Sequence, residues 1–198
     1  MTAQRHEAAP VRARRSGRRD EILQIAVDLF VSRGYHGVSM DDIGAAVGVT
    51  GPALYHHFAG KEAILIGALV PISARMLAGG RLQVAAHPGD PRAALAALIR
   101  FHVDVALANP AVIVLHLHEL DRLPEEPRRR VRRLQRQYVE VWVETLTRLR
   151  PELPAEQARV LAHAAFGLMN STPFIRGEVD RERRAELLRD ATMAALAG

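Results

Sequence analysis

Apolar residues recur along this chain at three- and four-residue spacing, and the runs are broken by Gly and Pro, a pattern that predicts successive helices. Ile22, Ile25, Ala26, Leu29 and Phe30 share one helical face, and Gly34-Tyr35-His36-Gly37 closes the run, so a first helix is expected from about Arg18 to Ser32. Ser39 is placed to cap a second helix. Asp41 and Asp42 then fall in its first turn, where the helix dipole favours anions, and Ile43 and Val47 supply its apolar side. Gly48 ends it, Thr50 is expected to cap a short third helix that tolerates Pro52 in its first turn, and Leu54 and Phe58 point inward. Two short helices joined by Gly48-Val49-Thr50 form a helix-turn-helix.

Beyond it, Lys61 to about Ala78 reads as a fourth helix that Pro71 should kink; it stops at Gly79-Gly80 or frays toward Ala86. Asp90-Pro91 opens a fifth helix to about Ala108, with Leu95, Leu98, Ile99, His102 and Val105 on one stripe, and Asn109-Pro110 ends it. A short apolar helix over Ala111 to Leu120 follows. Pro124 opens a long helix to about Leu149, Pro154 opens another to about Ile175, and Asp180 caps the last. The expected fold is all-α, with about nine helices and no strand. Its domains are expected as a basic, disordered arm over 1–17, a three-helix domain over 18–62 that contains the helix-turn-helix, and a helical domain over 63–198.

Composition narrows the chemistry. The chain has 198 residues, 5% of them aromatic and none of them cysteine, which removes disulfides, thiolate metal sites and thiol nucleophiles. It contains no uninterrupted run of roughly 18 apolar residues and no signal-peptide core, so no membrane partner and a cytoplasmic location are expected. The net charge of +5 is concentrated: Arg5, Arg12, Arg14, Arg15, Arg18 and Arg19 face only Glu7 in the first nineteen residues, and the remainder is balanced. Such an arm suits phosphate or minor-groove contact, or is a solvated tail.

The glycine turn, the Ser39 cap, the run Leu54-Tyr55-His56-His57-Phe58 and the pair Lys61-Glu62 together resemble the N-terminal domain of TetR-family transcriptional repressors, over about Arg18 to Leu65. Gly60, where the family usually has a polar cap, and Gly44, where it usually has Ala, depart from that pattern. The resemblance implies double-stranded DNA as a partner. Thr50, Gly51, Pro52 and Ala53 make a thin leading end for a helix entering the major groove. By resemblance Tyr55 and His56 reach phosphates or a thymine methyl and Lys61 clamps a phosphate. Ser39 is expected to donate to a phosphate, and Met40, Asp41, Gly51, Pro52 and Ala53 to influence sequence choice through contact and DNA shape. For Tyr55 and His57 the competing reading is packing within a small domain.

The resemblance also implies a C-terminal half that binds a small-molecule effector and forms a homodimer. Ala158, Ala162, Ala165 and Gly167 permit close packing, and the last two helices are expected to build the dimer interface. Pocket candidates are His102, His116, Tyr138, Trp142, Phe166, Met169 and Asn170, for a hydrophobic or amphipathic effector and with no cofactor. Arg129, Arg132, Arg133 and Arg136 share a helical face. They suit the phosphates of an acyl-coenzyme A, or form a solvated face paired with Glu125, Glu126 and Glu140. No nucleophile elbow, dinucleotide loop or phosphate loop is present, so no catalytic residue is assigned and an enzyme is not expected. A metal sensor built on His116, His118 and Glu119 is the alternative of the same fold, although the two histidines point about 200° apart on a helix. The function expected is a ligand-responsive repressor that binds a palindromic operator as a dimer and is released by its effector.

Overall fold

The computed structural model describes residues 11–175 and 177–197, with side chains from Gly17 onward. Among these residues there are nine α-helices, two single 3-10 turns and no strand. The chain divides into two compact units, residues 1–68 and 69–198. Of the arm expected over 1–17, residues 1–10 lie outside the described residues, and residues 11–17 are helical rather than disordered, because they extend the first helix.

In the first unit α1 spans Val11–Arg33, α2 Met40–Val47 and α3 Gly51–Tyr55, and the first two turns of α4 (Lys61–Ala85) complete it. α1 therefore begins ahead of the expected Arg18, because Gly17 and Ser16 cost helix stability without forbidding it. Two of the N-terminal arginines fold back onto this unit. Arg18 donates to the Val47 carbonyl at 3.0 Å, satisfying an orphan acceptor in the last turn of α2, and the Arg19 guanidinium lies 4.3 Å from the Phe58 ring centre. Ile22, Ala26, Phe30, Ile43, Leu54 and Phe58 fill the core between the helices.

The second unit contains the rest of α4 (Lys61–Ala85), then α5 (Pro91–Ala108), α6 (Pro110–Glu119), α7 (Glu125–Leu149), α8 (Ala155–Met169) and α9 (Arg181–Ala197). α4 runs without a break through Pro71 and past Gly79-Gly80. By length and composition α4 could cross a membrane, although no uninterrupted apolar run exists in the sequence; 44% of its most apolar window is buried within the protein, and it serves as a core helix. Asp90 caps α5 through its carboxylate, which accepts from Ala93 N–H at 2.9 Å. At Asn109-Pro110 the chain turns by 88° into α6, and the Asn109 side chain donates to the Val105 carbonyl at 2.7 Å. α8 ends at Met169 rather than near Ile175, since a 3-10 turn over Thr172–Phe174 containing Pro173 replaces its continuation. Asp180 accepts from Arg183 N–H at 2.9 Å and so caps α9.

Leu95, Leu98, Ile99 and Val103 of α5, Trp142 and Leu146 of α7, Ala158, Ala162, Ala165 and Met169 at α8, and Leu196 of α9 form one continuous core. The three alanines of α8 thus pack within their own chain. They are not available as a small-residue seam for a second copy. The outward face of α8 carries Val160, His163, Ala164, Gly167 and Leu168 instead.

Gly79 and Gly80 have a packing reason to be glycine. A Cβ at Gly80 would stand 2.5 Å from Cε2 of buried Tyr138, and one at Gly79 would stand 2.2 Å from Cζ of Phe101. Gly80→Ala gains roughly 1 kcal/mol of helix propensity. It is expected nonetheless to lower unfolding free energy by about 1–2 kcal/mol through overpacking, measured by urea denaturation against wild type; an unchanged midpoint would show that Tyr138 is free to move.

Candidate functional site

The helix-turn-helix owes its geometry to two local devices. Ser39 caps α2 in a reciprocal box: its Oγ accepts from Asp42 N–H at 3.0 Å, and Asp42 Oδ2 accepts from Ser39 N–H at 2.7 Å. The Ser39 hydroxyl also donates to Asp42 Oδ2, so its proton is committed within the cap rather than directed at an outside phosphate. These bonds hold the Asp42 carboxyl below its ordinary range. At the other end Gly48 takes a left-handed conformation, φ 73°, and Val49 N–H donates to the Gly44 carbonyl at 2.9 Å. Gly44 is buried at this turn, where a Cβ would stand 3.1 Å from the Val49 carbonyl oxygen, which accounts for a glycine inside α2.

Thr50 holds the N-cap position of α3, but its hydroxyl makes no capping bond. Thr50, Pro52, Tyr55 and His56 are exposed, Tyr55 by 54%, while Gly51, Ala53 and His57 are half-buried. Asp41 is exposed beside them, its Oδ1 3.2 Å from where a Gly51 Cβ would lie. The turn therefore brings Asp41, Thr50, Gly51, Pro52, Ala53, Tyr55 and His56 to one small surface. Met40 does not join it: its side chain is buried in the unit's core. Lys61 is half-buried; its Nζ donates to the Tyr35 carbonyl at 2.9 Å and sits 4.8 Å from the Tyr35 ring centre, which ties α4 to the turn after α1.

The second unit contains a cavity of about 530 Å³, open to solvent at one end. Its walls are apolar, with Ile72 and Met76 of α4, Val105 and Ala106 of α5, Val112 and Ile113 of α6 and Val139 of α7. At the buried end His102 accepts from the Tyr138 hydroxyl at Nδ1 (3.1 Å) and donates from Nε2 to Asn170 Oδ1 (3.1 Å). His102, Tyr138 and Phe166 lie nearly parallel, within 26° of one another and with centres 5.3–5.8 Å apart. Trp142 stands edge-on to all three, at 79–83°. Burial is the larger influence on His102 and pushes its pKa down to about 4 against the opposing effect of the Asn170 bond, so the imidazole is neutral. Burial likewise raises the Tyr138 hydroxyl well above its ordinary value.

Of the pocket candidates, His102, His116, Tyr138, Phe166 and Asn170 line this cavity. Trp142 and Met169 do not, being fully enclosed behind it. Residues that the sequence did not single out also line it, among them Gln135, Arg159 and His163. Their positions on polar faces gave no apolar stripe to read. Of the arginine block only Arg132 and Arg136 reach the cavity. Arg129 pairs with Glu125 at 2.9 Å and Arg132 with Asp121 at 2.6 Å, whereas Glu140 is bound by Arg159 of α8, not by the block. Among the described residues no cluster of three or more His, Asp or Glu is arranged to hold a metal, and His116 contacts Gln135.

A helix-turn-helix with an exposed second helix, followed by a helical unit with its own apolar cavity, defines a DNA-binding transcriptional regulator. The profile of bacterial regulatory proteins of the tetR family matches residues 22–68, and that of the tetracyclin repressor-like C-terminal domain matches residues 88–174, together more than half of the chain. The chain belongs to the TetR family. It is 30% identical over 133 residues to the HTH-type transcriptional repressor KstR2 of Rhodococcus jostii (strain RHA1), an alignment covering 67% of this chain and 65% of that relative. A TetR-family transcriptional regulator from Bordetella parapertussis 12822 superposes with a TM-score of 0.77 at 28% identity, over 88% of this chain and 93% of that one. AibR, in complex with isovaleryl coenzyme A and operator DNA, shares the fold, with a TM-score of 0.69 at 24% identity over 88% and 97% of the two chains.

The buried imidazole predicts a pH dependence. In the unfolded chain His102 takes up a proton near 6.5, in the folded chain only near 4, so its contribution to stability is complete above about 6.5 and is lost as pH falls toward 4. Urea melts of wild type between pH 7 and 4 should lose on the order of 3 kcal/mol more than those of His102→Gln. Parallel pH curves for the two proteins would place His102 in contact with water.

Proposed function

We propose that this protein is a homodimeric, cytoplasmic repressor that reads a palindromic operator through Asp41, Thr50, Gly51, Pro52, Ala53, Tyr55 and His56, and is released when an amphipathic small molecule occupies the second-unit cavity. The observation that carries the reading is the surface at the leading end of α3, where short side chains lie flush and Tyr55 projects. Short residues let the backbone approach base edges, and the tyrosine hydroxyl reaches the phosphate rim. Ser39 and Lys61 act behind this surface, one by capping α2 and the other by fixing α4 to the Tyr35 turn; Met40 supports it from below. The N-terminal arginines add sequence-independent attraction.

Dimerisation takes place on the exposed apolar face of α8 and α9, where Val160 and Leu187 are exposed by 69% and 46%. The cavity has the size of a small-molecule site and a basic rim, and holds the apolar part of an effector with its anionic part near Arg132, Arg136 and Arg159. An acyl thioester of the kind bound by AibR has this form. No cofactor or catalytic step is involved.

Selection from random duplex DNA at about 0.15 M salt, where non-specific electrostatic binding is weakened, is expected to return one palindromic site. Tyr55→Ala should weaken binding to that site roughly tenfold with an unchanged melting curve, as the loss of one well-placed contact does. Recovery of no sequence above background, or of a site with a single half, would overturn the dimeric-repressor reading.

A further inference from the structure

The cavity's polar groups are arranged asymmetrically, and their hydrogen-bond inventory specifies what it holds. At the inner end the neutral His102 uses both ring nitrogens, one accepting from Tyr138 and one donating to Asn170 Oδ1. The Asn170 carbonyl oxygen is thereby fixed, so the other arm of its amide, Nδ2 with two N–H donors, is turned away from the imidazole. Asn170 lines the cavity and no hydrogen bond engages Nδ2 among the described residues. The His102 and Phe166 rings stack nearly parallel, and Tyr138, bonded to His102, fills the space that a Cβ at Gly80 would take. A donor held this way, in apolar surroundings, matches an acceptor oxygen.

The outer end has the opposite character. Arg132 is taken by Asp121, and Arg159 is held by both oxygens of Glu140. Arg136 lines the cavity, is exposed, and makes no ion pair among the described residues. It is the cation available to an incoming anion without breaking an existing pair.

We infer that the ligand is a two-point amphiphile: an apolar body carrying an acceptor oxygen at its inner end, received by Asn170 Nδ2, and an anionic group at its outer end, received by Arg136. This rests on the cavity being the effector site of the regulator proposed above. His102 is a positioning residue here, since it acts through Asn170. The anion is either a free carboxylate or a phosphate of a coenzyme A thioester, and both present the same charge to Arg136.

Trp142 is the chain's single tryptophan and packs edge-on against Phe166, Tyr138 and His102, so its emission follows any shift of these inner-end rings. Titrating the full chain with dodecanoate, 11-oxododecanoate and 11-oxododecanoyl-coenzyme A tests both points. The keto acid should bind about tenfold more tightly than its parent, the scale of one satisfied buried donor. Asn170→Asp keeps an acceptor for His102 but removes both donors, and should erase that difference. Arg136→Gln should weaken the acid and the keto acid by the same factor, about fivefold, and reduce the salt dependence of binding. The tighter of the keto acid and its thioester identifies the anion. Equal affinity of wild type for dodecanoate and 11-oxododecanoate overturns the proposal, a result obtainable even if Asn170→Asp fails to fold. Absence of binding of all three ligands by isothermal titration calorimetry overturns it too, and retention of site-specific DNA binding by the same preparation would then show that the regulator reading survives.

Discussion

A single uncharged imidazole organises the second unit. His102 projects from α5, takes a proton bond from Tyr138 of α7, gives one to Asn170 at the end of α8, and stacks on Phe166 of α8. Three helices are thus joined at one ring whose charge burial suppresses. An apolar residue in that place would pack, but it would leave the Tyr138 hydroxyl and the Asn170 carbonyl without partners in a dry setting, each at a cost of roughly 1–3 kcal/mol. The polarity of the inner end and the rigidity of the surrounding bundle consequently have one origin.

The first unit uses a different economy of means. With little core to share, its short helices are held by terminal bonds: the Ser39–Asp42 box at the start of α2, the left-handed Gly48 at its end, and Arg18 on the Val47 carbonyl. α3 has no such side-chain cap and is only five residues long, so its position depends on buried Leu54 and on the close Gly44–Val49 turn. The reading surface is consequently assembled by its neighbours rather than by its own helix.

Most of this was legible from local chemistry. Ser39, Asp90 and Asp180 announce helix starts because a short polar side chain can satisfy an orphan N–H, and the structure places all three at N-caps. The helix-turn-helix was legible because its spacing and turn glycine are set within about twenty residues. Its individual contacts were less so. Met40 turned inward and the Ser39 hydroxyl turned to Asp42, outcomes decided by which side of α2 meets the core. In the second unit an apolar stripe marked His102, Tyr138 and Phe166, but could not separate a wall from the layer behind it, hence Trp142 and Met169. Arg159 and His163 were invisible because a polar residue at a cavity rim looks like any solvated position until the helices are packed. The start of α1 and the end of α8 moved for the reason helix ends generally do: propensity at a terminus is weak and tertiary context settles it.

The corner at Asn109-Pro110 sets the walls of the cavity apart from one another. Pro110 offers no N–H to continue the ladder of α5, so the break is closed by the Asn109 side chain instead. α6, beyond it, is ten residues long and buries only Leu115 fully, whereas α5 and α7 are each anchored by eight buried residues. Resistance to local opening follows the apolar surface that a segment shares with its neighbours, so α6 is the least anchored of these three walls. The cavity is in that sense a vessel with one soft side, and the ease with which anything enters or leaves is a property of ten residues, while the shape of what is retained belongs to the stiff ring system opposite.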